Sequence, residues 1–309
     1  NKLLEDTKDY IAIKISLPSS SYSSEEFIKQ IAIQMDFLSD ENNKLLSMEA
    51  FIKNEMSKGS ENHYNSKLLD TLLNTPGLKI FKSLKLIIDK NLANGIYSTN
   101  SILSNPNQPT KLKITNTIIK NCSKWGLFTQ YFSVWSGNNV IANCKEYCAA
   151  ITMGGNCTFL HTTFANYYNQ EGGRGGQPCV YVGNNDGTQD WPIDSVYFAN
   201  SIIDGSQGGE LEMAITSSTL SPGQLCKVTN CLIKGSMPTT TLITNTNNLF
   251  NANAAFDNTN NYNFEIKNNS AAKGLGDGVF ISPYPFLNQD IKGNLRNSPS
   301  DAGAYVAQP

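Results

Sequence analysis

The chain has 309 residues, and only 16% of them are Asp, Glu, Lys or Arg, against about 25% for an average soluble domain. With 39% hydrophobic residues and a net charge of −2, it holds material for a sizeable core and does not read as a disordered polymer. No apolar run approaches the roughly 18 residues of a membrane-spanning helix, and with two Arg and no basic stripe nucleic acid is excluded as an expected partner.

The charge is concentrated at the front. Residues 1–90 hold 12 Lys and 13 acidic residues, whereas residues 91–309 share 25 charges and carry 31 Asn. The chain starts at Asn1 without Met or a leader, so a processed or trimmed chain is expected, with any address removed. Tyr10 to Leu17 reads as a strand, because Ile11, Ile13, Ile15 and Leu17 alternate before Pro18. Ser23 and Glu26 have capping-box spacing, and Phe27, Ile31, Met35 and Leu38 follow at helical intervals. Further helices are predicted over Met48–Met56 and Lys67–Leu73, ending at Gly59 and before Pro76-Gly77. Leu84, Leu86 and Ile88 alternate again. A boundary is therefore expected between a charged, partly helical segment at 1–84 and a body at 85–309.

Seven Cys lie between Cys122 and Cys231, among only two His in the whole chain. Their spacings lack the ligand pairing of a zinc site, so no metal is expected, and an odd count argues against a complete disulfide framework. They read as small buried hydrophobes, with one or two bridges left open.

The body repeats. Five segments share two apolar or β-branched residues, one variable residue, then Asn or Gly. They are Ile118-Ile119-Lys120-Asn121, Val140-Ile141-Ala142-Asn143, Thr163-Phe164-Ala165-Asn166, Ile202-Ile203-Asp204-Gly205 and Leu232-Ile233-Lys234-Gly235, with starts 22, 23, 39 and 30 residues apart. Asn116, Asn200 and Asn230 precede three of them, and a companion motif runs Asn94-Gly95-Ile96-Tyr97, Trp125-Gly126-Leu127-Phe128, Ala149-Ala150-Ile151. Short strands ending in Asn or Gly at a ~22-residue period suit an all-β solenoid of stacked parallel coils. Asn and Gly accept the left-handed backbone that sharp corners need, and stacked Asn hydrogen-bond along the axis. A β-sandwich with Asn-rich turns is the competing reading.

The tail carries Ser270-Ala271-Ala272-Lys273-Gly274, then Asp290-Ile291-Lys292-Gly293-Asn294-Leu295-Arg296, then Asp301-Ala302-Gly303-Ala304-Tyr305. In this order and spacing it resembles the right-handed parallel β-helix proteins of the pectate-lyase-like superfamily. More specifically, it is similar to surface or secreted β-helix proteins of Bacteroidota, whose tails read a Ser-Pro-Ala-Ile-Asp-Ala-Gly-like segment, then Asp-x-x-Gly-x-x-Arg, then Asp-Ile-Gly-Ala-Tyr-Glu. Ala271, Lys273-Gly274 and Val306 depart from that pattern. The resemblance covers about residues 84–309, with no counterpart for the charged, partly helical N-terminal segment, and implies a right-handed parallel β-helix with a C-terminal cap near 262–309. Asp290, Arg296 and Asp301 are expected to hold that cap through Arg–carboxylate bonds.

The long third interval marks an insertion near 169–191 containing Gly172-Gly173-Arg174-Gly175-Gly176, Asp186-Gly187 and Asp190-Trp191. Loops on solenoids are where ligands bind, so Tyr167, Tyr168, Arg174, Asp186 and Trp191 are the candidate ligand residues, with a polysaccharide as their ligand. The superfamily's lyases use a basic residue with carboxylate-held Ca²⁺, and its hydrolases use paired carboxylates. If this chain is an enzyme, Arg174 with Asp186 and Asp190 fills the first role. Glu210 and Glu212, expected on one face of a strand, fill the second. Each has a plainer reading: Arg174 as a loop lock, Asp186-Gly187 as a turn. The expected function is a non-catalytic, exported surface scaffold or subunit of an outer-membrane assembly. Its expected partners are outer-membrane or surface proteins. No cofactor and no transmembrane segment are expected, and any lipid anchor is expected in a segment outside this chain. A polysaccharide-binding module, or a lyase or glycoside hydrolase, is the alternative.

Overall fold

The computed structural model describes residues 13–14, 86–89, 94–99, 111–170, 172–191, 193–216, 226–238 and 240–308. The chain divides into two compact units, Asn1–Ile87 and Ile88–Pro309. In the first, the strand Ile13–Lys14 pairs in parallel with Leu86 and Ile87. The three helices expected between residues 23 and 73 lie outside the described residues.

The second unit is a parallel β-helix whose coils visit three sheets in turn, until the last coil, where no sheet II strand is described between Leu232–Ile233 and Ile243–Thr246. Sheet I contains Thr117–Lys120, Val140–Ala142, Thr163–Asn166, Ile202–Gly205, Leu232–Ile233 and Leu249–Phe250. Sheet II contains Ile96–Thr99, Leu127–Gln130, Ala149–Thr152, Val180–Gly183 and Leu211–Ala214. Sheet III contains Lys111–Thr115, Ser133–Gly137, Gly155–Leu160, Ile193–Ala199, Cys226–Thr229 and Ile243–Thr246.

The sequence repeats are the rungs of sheet I. Ile118, Val140, Thr163, Ile202 and Leu232 pair in that order, and a further rung follows at Leu249. The next residue of each rung points inward. Ile119, Ile141, Phe164, Ile203 and Ile233 form one buried column of the core. In sheet III, Phe159 and Phe198 stack at 5.0 Å, one above the other. Rungs about 4.8 Å apart make such ladders of like residues the unit of stabilisation.

The corner between sheets III and I is left-handed on every coil. Asn116, Asn138, His161, Asn200, Asn230 and Asn247 all have φ between 47° and 59° there. Asn is the side chain that tolerates this backbone best after Gly. The corner side chains also bond along the axis: Asn138 Nδ2 donates to Asn116 Oδ1 (3.2 Å), and Asn200 Nδ2 lies 2.9 Å from His161 Nε2. One residue on, a second column faces inward. There Asn139 Oδ1 accepts the Thr117 N–H (2.8 Å), while its Nδ2 donates to the Ile114 carbonyl (2.7 Å). Amides thus satisfy buried backbone where charges would be costly.

The tail caps the solenoid from its sides, not over its last coil. A hairpin of Phe256–Asn258 and Asn263–Ile266 leads into irregular chain. Phe264, Ile291 and Ala304 pack on Val140, Ala142 and Ala165, and Ile266, Ala272 and Ala302 pack on Ile202 and Leu232. Those are outward positions of sheet I. Ile281 and Leu287 cover Leu160 and Ala199 of sheet III, and Tyr284 meets Trp135 at 4.7 Å. Consequently Thr163–Asn166 and Ile202–Gly205 are buried on both faces, while sheet II alternates, as in Leu127–Gln130.

Asp290, Arg296 and Asp301 sit within this tail but do not pair as expected. The Asp290 carboxylate accepts the N–H groups of Lys292 (2.8 Å), Asn294 (2.8 Å) and Val306 (3.0 Å). Asp301 accepts those of Gly274 (2.8 Å) and Ala307 (2.7 Å). Arg296 donates to the carbonyls of Asp301 (3.2 Å) and Gly303 (3.0 Å) and to Asn138 Oδ1 (2.7 Å). Irregular chain has few backbone partners of its own, so the three side chains complete it instead of neutralising one another.

Candidate functional site

The insertion begins where sheet I hands over to sheet II. Positive φ at Gly172 (86°), Gly173 (80°) and Gly176 (85°) folds the loop back on itself and turns Arg174 into the corner. The residue before each sheet II strand faces that corner. Backbone bonds align Gly95, Gly126, Cys148, Cys179 and Glu210 there as one column. A Cβ on Gly126 would lie 2.6 Å from the Cys148 carbonyl oxygen and from Ile141 Cγ2, so the upper coils close only around glycine.

Glu210 ends the column, and Arg174 meets it with both arms. Nη1 and Nη2 reach Oε1 and Oε2 at 2.7 and 2.8 Å. The two side chains are 1% and 0% exposed. Arg174 also donates to the carbonyls of Asn166 (2.8 Å) and Gln177 (2.6 Å), and Glu210 Oε1 accepts the Gln207 N–H (2.7 Å). Gly205 leaves room for the carboxylate, since a Cβ there would lie 2.3 Å from Oε1. Burial pushes the Glu210 carboxyl above its ordinary value even though Arg174 pulls the other way. Beside the pair, burial and neighbouring thiols hold Cys144 and Cys179 well above the ordinary thiol value.

Asp186 and Asp190 lie past the other end of Val180–Gly183. Asp186 accepts the Thr188 N–H (2.8 Å) and hydroxyl (2.6 Å), the Gln189 N–H (2.9 Å) and the Trp191 indole N–H (2.7 Å). Those bonds, led by the Thr188 hydroxyl, hold its carboxyl well below the usual range. Asp190 accepts from Asn185 (2.7 Å) and from the Thr216 hydroxyl (2.6 Å). Trp191 leans on Tyr131 at 5.8 Å. None of these bonds reaches Arg174, so a strand of sheet II separates the acids from the base that the lyase reading needs.

The expected pairing of Glu210 and Glu212 on one face also fails. Glu210 precedes the strand Leu211–Ala214 and turns inward at the corner, whereas Glu212 is exposed on the outer face. Period-two alternation does not extend through a corner. Tyr167 packs under the tail against Phe264 and Phe256, both at 6.2 Å, and Tyr168 is buried. The five expected ligand residues are therefore spread over three places and share no groove. Among the described residues no group of three or more His, Cys, Asp or Glu is placed to hold a metal ion, and no helix is long and apolar enough to cross a membrane.

Sequence reasoning passed over the outer face of sheet II. Register places Tyr97, Phe128, Ala150, Tyr181 and Glu212 in one outward column. Tyr97 stacks on Phe128 at 4.8 Å and 8°, and Trp125 stacks on Phe128 at 4.3 Å and 22°. Tyr147 and Tyr181 meet at 5.9 Å, with burial and then Glu212 raising both phenols. Tyr97 remains 55% exposed. The signal was present in the companion motif, where an aromatic residue directly follows the inward Ile96 and Leu127. Compared with protein-family models, curated proteins and solved structures, the chain matches none.

Proposed function

We propose that the chain is a non-catalytic β-solenoid scaffold, a surface subunit that presents the outer face of sheet II to a protein partner in an outer-membrane assembly. The observation that carries the reading is the division of the faces. The tail covers the outside of sheets I and III, while Tyr97, Trp125, Phe128, Tyr147 and Tyr181 stand on sheet II. The candidate catalytic groups favour it as well: Arg174 and Glu210 spend their hydrogen bonds on each other, on backbone and on the Ser206 hydroxyl, and Asp186 is absorbed by its own turn. Export, a lipid anchor outside this chain and kinship with pectate-lyase-like proteins rest on the resemblance of the tail.

A polysaccharide is the second reading for the same face. Sugar rings stack on open aromatic faces, and here Tyr97, Phe128 and Trp125 largely cover one another's faces, which favours a protein surface. The test is a photo-reactive phenylalanine analogue placed at Tyr97 in cells. It is expected to yield one adduct of fixed stoichiometry, absent when the analogue replaces Leu295, which is 71% exposed. Irradiation that leaves only the uncrosslinked chain refutes the scaffold reading. Retention on an immobilised polysaccharide, abolished by Tyr97→Ala, replaces it with the second.

A further inference from the structure

The ladders of sheets I and III run on to the last coil and stop there, past the end of sheet II at Leu211–Ala214. Ile243–Thr246 is an edge strand of sheet III and Leu249–Phe250 is an edge strand of sheet I. Each column ends there with a neighbour above it: Phe250 under Ile233, Leu249 under Leu232, Asn247 beside Asn230. The tail bypasses this end, and Leu249 and Phe250 are 40% and 36% exposed. Phe250 holds the inward position that is fully buried in earlier coils, so its exposure marks an open core.

Open strand edges normally carry Lys, Pro or a bulge to prevent pairing. This one carries none. Residues 239–256 contain no charged residue, no Pro and no Gly, whereas the strand Lys111–Thr115 carries Lys111 and Lys113. Instead the end shows Thr246, Asn247, Asn251 and Asn253, all exposed. Hydroxyls and primary amides both donate and accept, so each can bond to an identical group. In a two-fold contact the same patch meets itself, and any charge near the axis faces its like. An uncharged edge of self-complementary amides around an apolar pair meets that condition.

From this we infer that the C-terminal end of the solenoid is a homodimer interface, in which a second copy of the chain joins last coil to last coil and its edge strands continue the ladders. The contact is two-fold and closed, so growth stops at two. It goes beyond the scaffold reading and does not depend on it, because sheet II takes no part.

The test is light scattering after size exclusion over a hundredfold concentration range, on the full chain and on Phe250→Lys and Thr246→Lys. The wild type is expected to reach twice the mass of the chain, and each Lys variant to stay at the single mass with unchanged circular dichroism. Should Phe250→Lys lose its fold, Thr246→Lys and Thr246→Glu decide the matter: each alone is monomeric, and their equimolar mixture regains the double mass. A wild type that is monomeric throughout, one that forms open-ended polymers, or a dimer unmoved by Thr246→Lys overturns the inference.

Discussion

Replacing Arg174 by Met tests whether the buried ion pair holds the insertion. The substitution keeps much of the aliphatic volume but removes the cation that, among the described residues, is bonded to Glu210, whose side chain is 0% exposed. Breaking a buried pair from one side costs about 3–5 kcal/mol, because the surviving charge is stranded. At about 2–4 °C per kcal/mol for a unit of this size, melting falls by roughly 6–20 °C. The penalty also depends on pH in a definite sense. Burial already raises the Glu210 carboxyl, and losing Arg174 raises it further. A carboxyl raised in the fold is least harmful when protonated, so the loss is full at pH 7.5. It shrinks by about 1.4 kcal/mol per pH unit as pH falls below the new folded pKa, towards the unfolded value near 4.3. Adding Glu210→Gln removes the stranded charge and recovers most of the loss. Urea titration followed by tryptophan fluorescence reads this unit directly, since Trp125, Trp135 and Trp191 are the only tryptophans and all lie within it. A loss below about 1 kcal/mol, the same loss at pH 5 and 7.5, or simple additivity with Glu210→Gln would refute the reasoning.

Four further outcomes are expected. Burial, with Arg296 adding, keeps the His161 imidazole well below its ordinary value; the fold refuses a proton that the unfolded chain accepts, so stability present above pH 6.5 is lost at about 1.4 kcal/mol per unit below it. His161→Asn, which suits the left-handed corner, should remove that slope in urea titrations at pH 6.5 and 5.5, and an unchanged slope counts against the assignment. Gly126→Ala forces a Cβ against Ile141 and the Cys148 carbonyl and should cost about 1–3 kcal/mol by overpacking, read as a lower melting temperature. Asp290→Ala leaves the N–H groups of Lys292, Asn294 and Val306 without their acceptor, at about 1–3 kcal/mol for each that water cannot reach. Limited proteolysis should then cut first within residues 286–308, and Arg296→Ala should lower the melting temperature similarly.

The coils were legible because their corners demand particular residues. Asn at positive φ recurs at five of the six described corners where sheet III turns into sheet I, with His161 at the other, and the Asn or Gly ending each motif spaced them well enough to find five rungs of sheet I. The sixth, Leu249-Phe250, follows after only 17 residues and lacks the same motif. The placement of the tail was less legible, although its signal was in view. Ile118-Ile119, Val140-Ile141, Ile202-Ile203 and Leu232-Ile233 each set one apolar residue inward and the other outward, which requires a cover on the outside of sheet I. The fate of the candidate site turned on one corner residue. On a straight strand Glu210 and Glu212 would share a face; Glu210 lies before the strand starts, and no spacing rule locates that turn. Arg174 read more plausibly as a loop lock than as a catalyst, and Glu210 is the partner that spacing alone did not name.

The lateral tail changes how this solenoid should come apart. A stack of coils touching only their neighbours behaves as a one-dimensional chain and frays from its ends. Here one segment is fastened to Asn138 through Gln289 and Arg296, to Thr163 through Ala304, and to Asn200 through Asp277 and Gly303. Successive coils are thereby tied to a common spine, and none can open without releasing contacts that its distant neighbours share. The consequence is a single cooperative unit built from repeats: removing the tail should turn one sharp unfolding transition into a broad, stepwise one that begins at the coil of Leu249 and Phe250.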